Sequence, residues 1–230
     1  MASVSLIALF KSGKGVKSDD IVKAVASNAK LAAEVDADTG NTALHFACCN
    51  GAPLAVVKAL LKANASAAQA RDADGNVPVV GAVANGASVD VIKALLQAYP
   101  DAAKSLQGKH TLLHLAACHG QTVETVSVLL TAWQGAASCR DDDGNAPLHF
   151  AAACKASPDV VKALVAACPQ AASWRGQMNR LPLSLSLLCE APPASVEAIR
   201  DAYPEAQRAT EVVADYMNHG HGVGSKFPSA

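Results

Sequence analysis

The sequence predicts an all-α solenoid, in which similar helix pairs pack against one another in chain order. Three short motifs carry this prediction, because each recurs with a period of about 35 residues along the 230-residue chain. The first motif is a Thr-x-Leu-His type tetrapeptide, the second is an apolar Val-Val-Lys-Ala-Leu-Leu type run, and the third is an Ala-Ala pair. A fixed period of roughly 20 to 50 residues is the signature of repeat architectures. The five copies of the first motif are 42–45, 77–80, 111–114, 146–149 and 181–184.

Each repeat is predicted to contain a turn and two helices. The turn is marked by Asp-x-Asp-Gly-Asn at 72–76 and 141–145, and these residue types favour tight turns. The first helix follows the turn and begins at the first motif. The second helix begins after Ser, Thr or Pro, as at Ser88 and Thr122, because these residues are helix-start signals. Its apolar residues recur at helical spacing and therefore define one buried face.

The order and spacing of these motifs resemble the ankyrin repeat. Thr42–His45 is followed by Gly51 and then by Val56–Leu61 in the arrangement typical of that family. The repeats are a longer variant of about 35 residues, and Val80 and Ser184 replace the motif histidine in two copies. The resemblance implies an ankyrin-repeat solenoid in which the motif histidines tie neighbouring turns together by hydrogen bonds.

Five such repeats are expected over residues 36–207. Residues 1–35 are expected to form an N-terminal capping repeat, because Ile21–Val25 matches the second motif one period earlier and Leu6–Phe10 lies where a first helix belongs. The repeat pattern fades after position 207. Residues 208–230 are therefore expected to form a C-terminal cap and a flexible tail, which contains His219 and His221.

Composition and charge argue against several classes of protein. The net charge is −1 at pH 7 and the pI is about 6.6, whereas nucleic-acid binding usually needs a basic excess. No apolar run reaches the ~18 residues of a membrane span, and we expect no secretory signal. The seven cysteines follow no framework of spacings. We therefore expect reduced thiols in an intracellular reducing compartment, most simply the cytoplasm.

The sequence contains no motif of a catalytic or nucleotide-binding site. It has no glycine-rich dinucleotide or phosphate loop, no nucleophile elbow and no His-Glu-x-x-His motif. The repeats also leave little chain from which to build an enzyme. We therefore expect a non-enzymatic protein without a cofactor, and a structural role for His45, His114 and His149.

The cysteines near the ends of the first helices suggest a metal site as an alternative. The repeat alignment puts Cys118, His119, Cys154 and Cys189 at the same end of successive first helices. Packed helices lie about 8–10 Å apart, whereas zinc ligands lie about 2.0–2.3 Å from the metal, so three helices would be strained around one ion. We expect small apolar filler residues with one or two partly exposed thiols, and neither a metal site nor disulfides. A metal- or thiol-dependent sensor stays open as an alternative function.

The resemblance implies that the chain binds a partner protein, because ankyrin proteins usually contact partners through their turn tips and a concave face lined by first helices. The tips of repeats one, two and four are acidic, whereas Arg175 and Arg180 make that of repeat five basic. A partner with a basic or polar segment would suit such a groove, although acidic turns also suit a merely solvated face. The residues expected to contact the partner are Asp38, Thr39, Asn41, Asn50, Asp74, Asn76, Asn85, His110, His119, Asp142, Asp143, Asn145, Gln177, Met178 and Arg180.

A second class of function stays open on the same fold. The chain could be a structural or accessory subunit held permanently in a large multi-protein assembly. Obligate interfaces are more apolar than transient ones, so exposure of Trp133, Trp174 or Met178 would favour this alternative.

Overall fold

The computed structural model describes residues 5–12, 17–107 and 109–205. The described part is an all-α repeat solenoid with almost no sheet, which confirms the predicted fold class. Each repeat contributes a first helix and a second helix. The first helices are α1 (Leu6–Lys11), α3 (Ala43–Cys49), α5 (Pro78–Ala84), α7 (Leu112–Cys118), α9 (Pro147–Ala153) and α11 (Pro182–Leu188). The second helices are α2 (Ser18–Ser27), α4 (Leu54–Ala63), α6 (Val89–Ala98), α8 (Val123–Ala132), α10 (Pro158–Ala167) and α12 (Pro193–Ala202).

The pairs α3–α4 to α11–α12 are repeats 1 to 5, and the motif residues explain where their first helices begin. Thr42 precedes α3, and its Oγ1 accepts a hydrogen bond from His45 N at 3.4 Å. Thr111 caps α7 in the same way. Proline holds the first position of α5, α9 and α11, where its missing N–H costs nothing. Just beyond α3, Gly51 has a φ of 64°, the left-handed conformation with which many helices end.

The second helices of the five repeats have 10 residues each and bury one face. In α4 the buried residues are Val56, Val57 and Leu60. A 3-10 turn follows each of α4, α6, α8 and α10, and the alanine pair of the third motif is buried in it, as at Ala67 and Ala68. The small side chains of this pair allow close packing beneath the neighbouring helices.

The chain divides into two compact units, which we call unit 1 (Met1–Gln107) and unit 2 (Gly108–Ala230). Within unit 1, helices α1, α3 and α5 pack in chain order, and so do α2, α4 and α6. Within unit 2, the same order holds for α7, α9 and α11 and for α8, α10 and α12. Each helix pair therefore buries its apolar face against the neighbouring pairs of its own unit.

A turn tip precedes the first helix of each of repeats 1 to 5, and the five tips comprise residues 36–41, 71–76, 105–107 with 109–110, 140–145 and 175–180. Two short strands, β1 (Leu106–Gln107) and β2 (His110–Thr111), lie at the start of repeat 3. In repeat 1 an isolated antiparallel bridge joins Val35 to Thr42. No helix within residues 5–12, 17–107 and 109–205 combines the length and the apolar character that crossing a bilayer requires.

Candidate functional site

The motif histidines connect each turn tip to the next tip of the same unit. The N–H of Thr42 donates to His45 Nδ1 at 3.1 Å, so the proton of the neutral ring lies on Nε2 and is donated to the Asn76 carbonyl at 3.1 Å. His114 bridges to the Asn145 carbonyl at 3.1 Å, and His149 bridges to the Trp174 carbonyl at 3.0 Å. These bonds confirm the structural role predicted for the three histidines.

Burial keeps these histidines neutral. Loss of hydration lowers the pKa of His114 and of His149 to about 4, and it also lowers the pKa of His45. A charged imidazolium would lose its acceptor at Nδ1 and would be poorly solvated in this interior. All three rings are buried, so they hold the tips in register and offer no surface to a partner.

The first aspartate of each Asp-x-Asp-Gly-Asn motif closes its own turn. Asp72 Oδ1 accepts hydrogen bonds from the backbone N–H groups of Asp74 at 3.0 Å and Asn76 at 2.8 Å. Asp141 binds the corresponding N–H groups of Asp143 at 3.0 Å and Asn145 at 2.7 Å. Because these carboxylates satisfy the backbone from inside, the turns close without the side chains of Asp74 and Asp143, which are exposed.

In unit 1 the outward carboxylates of the tips are those of Asp38 and Asp74, both exposed. Asp36, by contrast, is buried and accepts hydrogen bonds from Lys11 Nζ at 2.6 Å and Thr39 Oγ1 at 2.5 Å. These bonds, chiefly the one from Lys11, hold the pKa of Asp36 below its usual value. The negative charge available to a partner at these tips is therefore that of Asp38 and Asp74.

In unit 2 the acidic tip of repeat 4 already contacts polar and cationic neighbours. Asp142 lies 3.7 Å from Lys109 Nζ, and Asp141 lies 3.4 Å from His110 Nε2. On the other side, Gln177 Nε2 donates to Asp143 Oδ2 at 3.2 Å. The negative charge predicted for the tip of repeat 4 is thus partly offset by these neighbours. The exposed Asp38 and Asp74 of unit 1 are the stronger candidates for a negative contact surface.

The structure places most, but not all, of the predicted contact residues at the surface. Burial removes Asn145 and Arg180 from that surface, since they are only 2% and 4% exposed. Asn145 instead holds two tips together, because its Oδ1 accepts the Gln177 N–H at 2.9 Å. The half-buried residues are Asn41, Asn76, His110, His119 and Gln177, and the exposed ones are Asp38, Thr39, Asn50, Asp74, Asn85, Asp142, Asp143 and Met178.

The tip of repeat 5 has an unusual backbone. Met178 and Asn179 have φ values of 55° and 60°, a left-handed conformation that costs residues other than glycine free energy. The side chain of Met178 is 54% exposed. The tip therefore presents an apolar side chain from a backbone held by its neighbours, including the Arg175 side chain, which donates to the Asn179 carbonyl at 2.9 Å.

Sequence reasoning missed the arginine that connects the tips of repeats 4 and 5. Arg140 Nε donates to the Gly144 carbonyl at 2.7 Å, and its Nη2 donates to the Arg175 carbonyl at 2.5 Å. Its guanidinium also lies 5.5 Å from the ring centre of Trp174, within the range of a cation–π contact. The available signal was an arginine directly before the Asp-x-Asp-Gly-Asn motif, which also occurs at Arg71.

Two cysteines depart from the sequence-based expectation. Cys118, the last residue of α7, and Cys154, which follows α9, form a disulfide, with 5.1 Å between their Cα atoms. The prediction of reduced thiols is wrong for this pair, because the packing of α7 against α9 brings them to a Cα separation that a disulfide needs. The free cysteines are Cys48, Cys49, Cys139, Cys168 and Cys189. The described residues include no group of three His, Cys, Asp or Glu side chains that could hold a metal ion.

Comparison with known proteins agrees with the repeat geometry. A family model described as ankyrin repeats (3 copies) matches residues 14–105 and 79–173, which together span well over half of the chain. No curated protein matches the sequence.

Proposed function

Since the chain belongs to the ankyrin-repeat family, whose members generally serve as protein–protein interaction modules, we propose that it binds a partner protein through its turn tips and the adjoining ends of its first helices. The family is typically non-enzymatic, and the proposal includes no catalytic step. It places the protein in an intracellular reducing compartment, where unpaired cysteines persist as thiols.

The observation that carries this proposal is the preformed state of the exposed tips. The half-buried Asp72 and Asp141 and the buried motif histidines satisfy the tip backbones from within. The exposed side chains of Asp38, Thr39 and Asp74 therefore stand on an ordered frame before any partner arrives. A frame that is already ordered reduces the conformational entropy lost on binding, so more of the contact energy appears as affinity.

The charge of the tips in unit 1 favours a basic or polar segment of the partner. Asp38 and Asp74 are both exposed, on neighbouring tips of the same unit. The two tips also touch directly, because Ala73 N donates to the Thr39 carbonyl at 2.9 Å. Opposite charge on a partner would accelerate its approach and fix its orientation more than it would raise affinity.

The proposal is tested by partner capture followed by charge reversal in unit 1. The partner is captured with the tagged full-length protein, identified by mass spectrometry, and its affinity measured for Asp38→Lys/Asp74→Lys. We expect about tenfold weaker binding or more, and a smaller dependence on salt. The matched control is Asp90→Lys, because Asp90 is exposed on second helix α6 of the same unit. Unchanged affinity of the double variant, with weakening by Asp90→Lys, would contradict the proposal.

One observation favours the second candidate, a subunit held permanently in a large assembly. Apolar side chains are exposed at or beside several tips, namely Val35 at 60%, Leu106 at 44% and Met178 at 54%. Obligate interfaces bury such groups more often than transient ones do. Sedimentation of native extracts distinguishes the two candidate functions. An obligate subunit stays in a large complex at all salt concentrations, whereas a transient partner attracted by charge dissociates at high salt.

A further inference from the structure

The disulfide joins the first helices of two successive repeats within unit 2. Cys118 ends α7 of repeat 3, and Cys154 follows α9 of repeat 4, 36 residues later in the chain. The bond therefore closes a loop that contains the whole second helix of repeat 3 and the tip of repeat 4. It ties together two helices that also pack against each other.

The repeat stack itself does not require this covalent bond. The equivalent pair in unit 1 is Cys49 and Asn85, and the next pair in unit 2 is Ala153 and Cys189, each with the same 36-residue separation. The backbone after each first helix is nonetheless nearly the same, with φ/ψ of −100°/17° at Asn85, −90°/11° at Cys154 and −90°/5° at Cys189. The same geometry thus forms with and without the disulfide.

The two cysteines differ in their exposure to solvent. Cys118 is only 4% exposed, whereas Cys154 is half-buried. Lys155 directly follows Cys154, is itself exposed, and has a φ of 58° at the position where repeat 3 has Gly120. A small reagent would therefore reach Cys154 first and Cys118 only through Cys154.

We propose that Cys118 and Cys154 form a thiol–disulfide exchange site that reacts with low-molecular-weight disulfides such as glutathione disulfide. The Cys154 thiolate attacks one sulfur of glutathione disulfide, which gives a mixed disulfide and releases one glutathione thiolate. The Cys118 thiolate then attacks the Cys154 sulfur and releases the second glutathione. The two protons of the cysteine thiols end on the two released glutathiones, and two glutathione thiols reverse both steps. The site thus links repeats 3 and 4 under oxidising conditions and releases them under reducing conditions.

The test is a redox titration of the folded, full-length protein. The protein is equilibrated in glutathione buffers from an excess of the disulfide to a 100-fold excess of the thiol, quenched with acid, alkylated and mapped by peptide mass spectrometry. We expect the Cys118–Cys154 link to form and disappear reversibly within this range, and the linked form to melt about 5–10 °C higher than the reduced form. A link that survives the 100-fold thiol excess, or one that never forms, overturns the proposal.

Two single variants test the order of the steps. Cys118→Ser should accumulate one glutathione on Cys154, because the second step is blocked, whereas Cys154→Ser should leave Cys118 without glutathione. An adduct on Cys118, or none on Cys154, would contradict the assigned order. Asn85→Cys is the matched geometric control, since it should link to Cys49 under the same oxidising conditions. Circular dichroism at each glutathione ratio establishes that the variants are folded.

Discussion

The third residue of each first helix can either connect two turns by hydrogen bonds or be buried without a hydrogen-bond partner. His114 occupies this position in repeat 3 and uses both ring nitrogens, one for its own helix start and one for the Asn145 carbonyl. Ser184 occupies it in repeat 5, where its Oγ is buried without a hydrogen-bond partner among the described residues. The two residues therefore contribute oppositely to stability at equivalent places in the fold.

This contrast predicts opposite results for two alanine substitutions. His114→Ala removes a buried ring, takes the Nδ1 acceptor from the Thr111 N–H and removes one donor to the Asn145 carbonyl, which keeps the Asp141 N–H. We therefore expect the free energy of unfolding to fall by about 2–4 kcal/mol. Ser184→Ala removes an unsatisfied hydroxyl and should leave stability unchanged or raise it by about 1 kcal/mol. Urea unfolding of the full-length protein measures both values. An equal loss in the two variants would refute this account of the motif position.

The buried histidines also predict how stability depends on pH. In the folded state the pKa of His114 and of His149 is about 4, whereas an unfolded histidine titrates near ~6.5. The unfolded chain therefore binds more protons between these values, so their contribution is complete above pH ~6.5 and is lost as pH falls towards ~4. From pH 7 to 5 we expect a loss of about 2 kcal/mol per histidine.

Urea unfolding at pH 7, 6 and 5 checks this dependence. Few carboxylates change their charge in this interval, so the histidines dominate the change. His114→Ala is the control, because its decrease should be smaller by about 2 kcal/mol. Stability that rises or stays constant from pH 7 to 5 would show that the rings are not held neutral.

At the scale of the element, the turn tips of repeats 2 and 4 each depend on one aspartate, Asp72 and Asp141. Asp141→Ala should lower the free energy of unfolding by about 1–3 kcal/mol, because it removes the carboxylate that accepts hydrogen bonds from the N–H groups of Asp143 and Asn145. The neighbouring Asp142→Ala should change it by less than about 0.5 kcal/mol, since Asp142 is exposed and has only a 3.7 Å surface pair with Lys109. Thermal or urea unfolding compares the two variants. A larger effect at Asp142 would contradict the assignment of roles within the tip.

Elements were largely predictable from the sequence because they are repeated. The period placed the helix pairs, the capping threonines and the motif histidines, and all of these depend on residues close together in the chain. The reach of the Arg140 side chain to the tip of repeat 5 was not predictable, because it depends on how far apart two packed tips lie. The left-handed Lys155 was missed for another reason, since the glycine preference at that position is strong but not absolute.

The candidate site was predicted less completely than the fold. The repeat alignment put Cys118 and Cys154 at the same end of successive first helices, but only the 5.1 Å separation of their Cα atoms shows that they can bond. Likewise, the residue types of the tip motif do not reveal which polar side chains point inward. Asn145 and Arg180 are buried, although both were expected to be exposed. Side-chain direction at a turn depends on packing that sequence spacing does not specify.

At the scale of the whole molecule, both units separate the helix pairs that hold the fold together from the tips that are exposed to a partner. Each unit stacks its helix pairs in chain order, and the tips of each unit are closed by their own hydrogen bonds. Substitutions at exposed tip residues should therefore change recognition with little effect on folding. This separation allows the proposed contact surface to be mapped without unfolding the protein.

The most direct test of the central claim is site-specific photo-crosslinking to the captured partner. A photoreactive amino acid is placed at Asp74 on a tip of unit 1, at Met178 on a tip of unit 2, and at Lys58 and Lys162 on second helices, all exposed positions. The account predicts strong crosslinks to the partner from the tip position of at least unit 1, and none from the second helices. Crosslinks from positions 58 and 162 alone would contradict recognition through the turn tips.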